Sequence, residues 1–155
     1  MATAEIPLQY SGAETVAGVA ASAKGASYLT FDPDAVEEVR YRGVVPDNYA
    51  SGPVLTVYYS MQAATSGTVG YNAYVMAVTP DDAADIDTDS FDSANAASET
   101  VPGTAGYMSE LDITLTNADS MAAGDVAMIK LQRNVADTAS GDAKLRGVVL
   151  RYTVA

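Results

Sequence analysis

Cysteine, histidine and tryptophan are absent from the 155 residues of this chain. Without cysteine there is no disulfide framework and no thiolate chemistry. Without histidine the chain lacks the commonest general base and the commonest transition-metal ligand. A serine nucleophile would have no imidazole to activate it. We therefore expect a protein that is not an enzyme, with no catalytic residues and no cofactor.

Carboxylates are the remaining acid–base groups, and their arrangement does not favour catalysis. The pairs Glu37-Glu38 and Asp81-Asp82 are sequence neighbours. Neighbouring side chains on a strand point to opposite faces, so such pairs do not converge on one cleft. Nothing in the spacing places two carboxylates at a glycosidase separation.

Positive charge is scarce. Eight Lys and Arg stand against 20 Asp and Glu, which gives a formal net charge of −12. Nucleic acid and anionic membrane surfaces need clustered cations, so neither is an expected partner. No apolar run reaches the roughly 18 residues of a membrane span. The opening MATAEIPLQYSG carries Glu5 and no basic segment, so we do not expect a signal peptide.

The chain is organised around the stretch 31–62, which has the pattern of two β-strands. Residues 38–45 and 55–62 each alternate between apolar and polar positions, as expected for strands with one buried face. The connection through Pro46-Asp47-Asn48-Tyr49 is too long for a two-residue hairpin. It predicts a corner between two packed sheets.

Further strands are predicted along the rest of the chain, about eight in all, with mostly long connections and no convincing helix. This pattern is typical of an all-β, two-sheet antiparallel sandwich with jelly-roll-like wiring. In the last strand the buried face has to switch near Gly147, which predicts a β-bulge. The predicted core residues are Val39, Tyr41, Leu55, Val57, Tyr59, Leu111, Ile113, Leu115, Ile129, Leu131, Val148 and Leu150.

Residues 1–25 differ from the remainder, being rich in Ala, Gly and Ser. We predict an N-terminal arm over 1–25 and a sandwich domain over 26–155. The arm cannot build a core of its own, so it is expected to become ordered only against another chain. The alternative is a floppy terminus.

An acidic loop spans 80–91, where Asp85, Asp87 and Asp89 begin a DxDxD pattern. A calcium-binding EF-hand loop would need Gly at the sixth position and Glu at the twelfth, but this chain has Ser90 and Ala96. We expect no metal ligands and a solvated acidic loop, with a looser calcium site over 81–89 as the open alternative.

Ten tyrosines against two phenylalanines form an unusual aromatic set. Tyr58 and Tyr74 occupy outward positions of predicted strands, and Met76 and Val78 make the outer face of the strand 69–79 apolar. We predict these four residues as an interface exposed on the isolated chain. A sugar-binding face and ordinary half-buried strand positions are the alternatives for the tyrosines.

The order of several segments resembles small β-sandwich virion proteins of tailed bacteriophages. The landmarks are Phe31-Asp32 at a strand end, the corner at 46–49, the loop 85–91 and the Gly141-Asp142-Ala143 entry to the last strand. Together they span residues 28–152. No single motif is specific, and the resemblance lies in their order and spacing.

This resemblance implies a structural protein on the outer surface of a virion, made in the host cytoplasm. It would be a capsid decoration (cement) protein or a short head fibre, a homotrimer that also contacts the major capsid protein or another virion protein. A tail or fibre module that binds host glycan, and a tail-tube or connector subunit, are the alternative functions. No catalytic residue follows from the resemblance.

Overall fold

The computed structural model describes residues 1–11, 20–23 and 26–155, without the side chains of 11, 20–23 and 26. The described chain contains eleven strands. They are β1 (Thr3–Pro7), β2 (Gln9–Ser11), β3 (Ala20–Ala23), β4 (Ala26–Phe31), β5 (Glu38–Val44), β6 (Tyr49–Met61), β7 (Thr68–Val78), β8 (Asn95–Thr100), β9 (Met108–Thr114), β10 (Val126–Arg133) and β11 (Ala143–Val154). Within these residues no helix is present that could cross a membrane.

The strands form two antiparallel sheets packed face to face, so the predicted all-β, jelly-roll-like sandwich is confirmed. Sheet A has the order β3-β4-β11-β6-β9, with β1 also paired to β11. Sheet B has the order β2-β5-β10-β7-β8. Few of the paired strands are consecutive in the chain, which explains the long connections in the sequence.

The core lies between the sheets and is formed by the alternate residues of each strand that point inward. Every one of the twelve predicted core residues is buried, with an exposed fraction between 0% and 6%. The period-two pattern was sufficient to identify them, because a strand with one solvent-exposed face has an apolar, inward-pointing side chain at every second residue.

The corner at 46–49 carries the chain from β5 in sheet B to β6 in sheet A, as predicted. Tyr49 N–H donates to Pro46 C=O at 2.9 Å, which closes the turn. Strand β6 begins at Tyr49, six residues before the predicted start at Leu55. Gly52 adopts φ +64°, so the chain accommodates the distortion there without leaving the sheet.

The predicted bulge in the last strand is confirmed. The register of β11 against β6 shifts between Leu145 and Gly147, so Arg146 is the extra residue. The shift returns Val148 and Leu150 to the core face after Leu145.

The N-terminal segment differs from the prediction. Strand β1 pairs with β11, and β2 pairs with β5, so residues 3–11 join both sheets of their own chain. The expectation that the arm is ordered only against another chain was therefore wrong for this part. Ile6 packs against the core, and Leu8 is buried with 9% exposure. Residues 12–19 and 24–25 of the predicted arm lie outside the described residues.

One cation is buried at the end of the sandwich. The Arg133 guanidinium forms an ion pair with Asp137, with Nε 2.8 Å from Oδ2. It also donates to the carbonyl oxygens of Phe31, Ala139 and Gly141, at 3.1, 2.7 and 2.7 Å. These bonds satisfy a charge that would otherwise be costly to bury, and they fix the loop between β10 and β11.

Candidate functional site: an aromatic groove at the sandwich edge

A concave groove opens at the edge of the sandwich where β2 of sheet B lies near β4 of sheet A. Its volume is about 190 Å³. The lining residues are Tyr10, Ser27, Tyr28, Leu29, Tyr41, Leu145 and Arg146. The groove is therefore an open mouth of the core, with aromatic rings on both sides.

Sheet B supplies two of the tyrosines. Tyr10 on β2 pairs directly with Tyr41 on β5, so both side chains point to the inner face of that sheet. Their ring centroids are 6.3 Å apart with an interplanar angle of 61°. Tyr41 is buried and forms the floor, whereas Tyr10 is 48% exposed. Burial, reinforced by the nearby Tyr10, raises the pKa of the Tyr41 hydroxyl, so this group remains a neutral hydrogen-bonding group.

Sheet A supplies the other wall and the charge. Leu29 and Leu145 are paired in register on the inner face and continue the apolar floor. The bulge at Arg146 brings this side chain to the groove, where its guanidinium carbon lies 4.5 Å from the Tyr28 ring centroid. Arg146 Nε and Nη2 also lie 3.4 Å from Ser60 Oγ.

Lys144 lies close to the same rim. Its Nζ is 4.8 Å from the Tyr28 ring centroid. Two cations therefore contact Tyr28, an arrangement that a negatively polarised ring face favours. The rim combines an aromatic ring, positive charge and hydroxyl groups.

This combination suits binding of a small amphipathic ring. The groove is smaller than the roughly 300–1,000 Å³ of pockets for drug-sized ligands, so it has room for one ring of a longer molecule. Aromatic side chains provide apolar contact, and the Tyr and Ser hydroxyls can donate and accept hydrogen bonds. None of the described residues that line the groove is a carboxylate.

The predicted interface residues do not come together. Tyr58 is on β6 of sheet A, and Tyr74 is on β7 of sheet B, so they lie on opposite outer faces of the sandwich. Arg151 Nη2 donates to the Tyr58 hydroxyl at 3.1 Å. That arginine also pairs with Glu5 on β1, Nε to Oε2 at 3.3 Å.

Tyr74 lies in a cluster of its own on the outer face of sheet B. Lys130 Nζ is 4.3 Å from the Tyr74 ring centroid and 4.9 Å from that of Phe91. Arg40 contacts the Phe91 ring at 5.4 Å and forms an ion pair with Glu38 at 3.0 Å. We call these five residues the Phe91 cluster. Its rings are already in contact with cations of the same chain.

The prediction of a solvent-exposed apolar patch was wrong at Met76. It points to the same outer face as Tyr74 but is only 6% exposed, and Val78 is half-buried. Met76 is paired with Met128 on β10, and the chain leading to β8 runs alongside, with Asp92 N–H donating to Val75 C=O at 2.8 Å. The sequence pattern gave the side-chain direction correctly but could not show which segments cover this face.

The acidic loop uses its carboxylates locally. Asp85 Oδ1 accepts from Asp87 N–H at 3.0 Å, and Asp89 Oδ1 accepts from Ser90 N–H at 2.8 Å. Among the described residues no group of three carboxylates is arranged to hold a metal ion. The loop is thus organised by its own backbone contacts.

The groove itself was not predicted from the sequence, although some of its residues belong to segments that were. Tyr41 was predicted as a core residue, and Arg146 is next to the bulge predicted near Gly147. Tyr10 lay in the predicted arm. The bulge was the one usable signal, because bulges often redirect a side chain at a functional site.

Solved structures with a similar fold include carbohydrate-binding modules. The C-terminal CBM6 of LamC, a marine laminarinase from Zobellia galactanivorans, matches with a TM-score of 0.52 and 9% identity over 98% of this chain and 100% of that one. A non-crystalline cellulose specific module, CBM28, matches with a TM-score of 0.50 and 13% identity over 92% and 86%. At such identities the likeness shows the β-sandwich fold alone. No protein-family model matches the chain, and no curated protein matches it in sequence.

Proposed function

We propose that this protein is a non-enzymatic glycan-binding module that holds a sugar ring in the groove between β2 and β4. The observation that carries the proposal is the exposed Tyr10 ring beside the Tyr41 floor and the Tyr28 rim. Sugar rings present apolar C–H faces and polar edges, and this lining offers partners for both. The carbohydrate-binding modules that share the fold support the proposal.

Affinity electrophoresis against a panel of neutral and acidic soluble polysaccharides, followed by calorimetry on the retarding ligand, tests this function. Tyr10→Ala should weaken binding about tenfold, because truncation removes a contact worth about 1.4 kcal/mol. Tyr74→Ala is the matched control: it also removes a tyrosine ring from sheet B, but from the outer face, where the ring contacts Lys130. Equal losses in the two variants, or no retardation by any glycan, would contradict the proposal.

The resemblance to phage virion proteins gives this module a setting, which is a separate proposal. A glycan-binding sandwich on a tail or fibre would serve host recognition. The capsid-decoration function is the second candidate, and the start of the edge strand β9 favours it: Met108, its first residue, is 55% exposed, and the preceding Tyr107 is 64% exposed. Exposed apolar groups at a sheet edge are typical of subunit contacts.

Native mass spectrometry and binding to empty capsids test this second candidate. A subunit contact through β9 predicts a homotrimer that dissociates in the double variant Tyr107→Ser with Met108→Ser. A monomer that ignores capsids but binds glycan would leave recognition as the function.

A further inference from the structure

The outer edge of strand β8 (Asn95–Thr100) is a feature on which the proposed glycan binding does not depend. β8 is the last strand of sheet B, and no strand of the described chain pairs with its other side. β2, the strand that precedes residues 12–19, is the opposite edge of that sheet, beyond β7, β10 and β5. The backbone groups along such an edge can pair with a further strand.

The hydrogen bonds of β7 show which backbone groups of β8 point outward. Gly70 on β7 is the register partner of Ser98. The Gly70 N–H donates to Asp137 Oδ2 at 3.2 Å, and its C=O accepts from Asn134 N–H at 2.9 Å. Both groups of Gly70 are thus engaged away from β8, so the N–H and C=O of Ser98 are directed to the outer edge.

The same arrangement recurs two residues further along the strand. Thr68 is the register partner of Thr100. Its N–H donates to Thr138 Oγ1 at 2.8 Å, and its C=O accepts from Thr138 N–H at 3.0 Å. Because bonding alternates along an antiparallel strand, the N–H and C=O groups of Ala96, Ser98 and Thr100 all point to the outer edge.

The side chains of β8 leave this edge open to pairing. Its outward side chains are small, uncharged and exposed: Ala96, Ser98 and Thr100. The carboxylate of the strand, Glu99, turns inward, where it accepts from the Tyr59 hydroxyl at 2.6 Å and from Ser109 Oγ at 2.9 Å. The edge therefore lacks the charged side chains with which many proteins prevent strand pairing.

Strand β9, the neighbouring edge in sheet A, is less suited to pairing with a second copy of itself. An antiparallel pairing centred on Glu110, Leu111 or Asp112 would place two carboxylates directly opposite each other. Like charges in that position are destabilising. Arg151 supplies a single positive charge near both carboxylates, at 3.8 and 3.5 Å. In a chain with a net charge of −12, self-association is therefore favoured at the uncharged edge of β8.

We propose that β8 pairs with β8 of a second copy, antiparallel and centred on Ser98, so that sheet B continues across a two-fold axis. Ser98 then lies opposite Ser98 of the second copy, and Ala96 lies opposite Thr100. Each outward residue exchanges its backbone bonds with a partner, and the contact closes as a dimer. The inference goes beyond the proposed glycan binding. The groove borders β2, at the other edge of sheet B, so the pairing does not cover it.

Disulfide trapping tests the pairing and its register, since the chain has no cysteine of its own. In a dimer of Ser98→Cys, the two Cα atoms lie about 5.5 Å apart, within the range that a disulfide spans. We expect a covalent dimer under mild oxidation. Thr100→Cys is the matched control: it is exposed on the same face but lies opposite Ala96, so its cross-linking should be about tenfold slower.

Sedimentation velocity of the full chain measures the affinity without a cross-link. Ser98→Lys places two ammonium groups opposite each other and should weaken dimerisation about fivefold. Ala96→Glu with Thr100→Lys pairs opposite charges across the axis and should dimerise at least as tightly as the parent chain. Thr114→Lys adds a cation at an exposed position of β9 and should leave the affinity unchanged. Thermal unfolding establishes that each variant is folded.

The outcomes either support this dimer or overturn it. Preferential cross-linking of Ser98→Cys, together with a parent chain that dimerises, supports the proposal. Equal cross-linking of Ser98→Cys and Thr100→Cys overturns it, because random collision would then explain the product. A parent chain that stays monomeric at its highest soluble concentration overturns it as well, and so does an oligomer whose affinity Ser98→Lys leaves unchanged. None of these outcomes bears on glycan binding in the groove.

Discussion

In the described part of this sandwich, two sites bring tyrosine and lysine together, and they differ in what surrounds the ring. In the Phe91 cluster, Lys130 contacts two aromatic rings, and Arg40 has Glu38 as a partner. In the groove, Lys144 contacts a single ring, Tyr28, beside an open concave surface. The first site is complete within the chain, whereas the second has room for a ligand.

The difference teaches that residue chemistry alone does not make a binding site. Tyr74 and Tyr28 are both half-buried tyrosines on strands next to cations. Tyr74 lies on the open outer face of a sheet and shares its cation with Phe91. Tyr28 lies at the rim of the groove between the two sheets. Concavity at a sandwich edge distinguishes them, and concavity is a property of the fold.

The buried pair Arg133–Asp137 is even less accessible to a ligand than the Phe91 cluster. Its substitution should give the largest change in the free energy of unfolding. Both side chains are nearly inaccessible, at 0% and 2% exposure. Arg133→Ala would leave Asp137 buried and unpaired, at a cost of about 3–5 kcal/mol in the free energy of unfolding. Urea denaturation measures it. Replacing both partners, Arg133→Met with Asp137→Leu, should recover a large part, and a cost under about 1 kcal/mol for the single variant would show that the loop is not sealed.

Phe91 should matter to stability in a way that Tyr28 does not. Phe91→Ala removes the ring that Lys130 and Arg40 both contact, and we expect a loss of about 1–2 kcal/mol. Tyr28→Ala should cost less than about 1 kcal/mol, because Tyr28 is only half-buried and cation–π contacts at exposed sites are weak. Chemical denaturation of the two variants side by side checks this. Reversed magnitudes would make Tyr28 a structural clamp and weaken the case for an open groove.

Alkaline pH distinguishes the buried floor of the groove from its rim. Burial raises the pKa values of Tyr41, Tyr59 and Tyr71 above the ordinary value of 10.0. The folded state therefore retains protons that the unfolded state releases, so the contribution of these tyrosines to stability is constant below pH 10 and is lost as the pH rises beyond it. Each tyrosine adds about 1.4 kcal/mol per pH unit to the slope.

The variant Tyr41→Phe measures how much the Tyr41 hydroxyl, at the floor of the groove, contributes to this loss of stability at high pH. Urea unfolding between pH 9 and 11 should show a slope that is shallower by one tyrosine, with no change below pH 9. A slope identical to that of the parent chain would mean that the Tyr41 hydroxyl ionises freely in the folded state, and hence that the floor is wet.

Much of the fold was accessible from the sequence because strands leave a short-range signature. Residues such as Ile113 and Ile129 alternate with polar neighbours, and that alternation identified the core. The polar Lys144 and Arg146 share the parity of Val148, and this conflict located the bulge near Gly147 for the same reason. The strands of residues 1–23 were missed, because short Ala- and Thr-containing segments such as Thr3–Pro7 carry little periodic contrast.

The candidate site could not be read in the same way, since its members come from distant parts of the chain. Tyr10, Tyr41 and Arg146 are brought together by the pairing of β2 with β5 and by the packing of sheet A on sheet B. None of these pairings produces a pattern at fixed spacing in the sequence. The prediction that grouped Tyr58 with Tyr74 shows the limit: both point outward, but from different sheets.

By itself the sequence determined the all-β class, the inward face of each main strand and the absence of cysteine and histidine chemistry. These follow from composition and from side-chain alternation, which are local properties of the chain. Only the tertiary structure decided which outward residues are covered, as Met76 is, and which tyrosines border a cavity, as Tyr10 does. Burial by another segment and concavity between sheets depend on non-local contacts, and a strand pattern contains no information about its neighbours across the core.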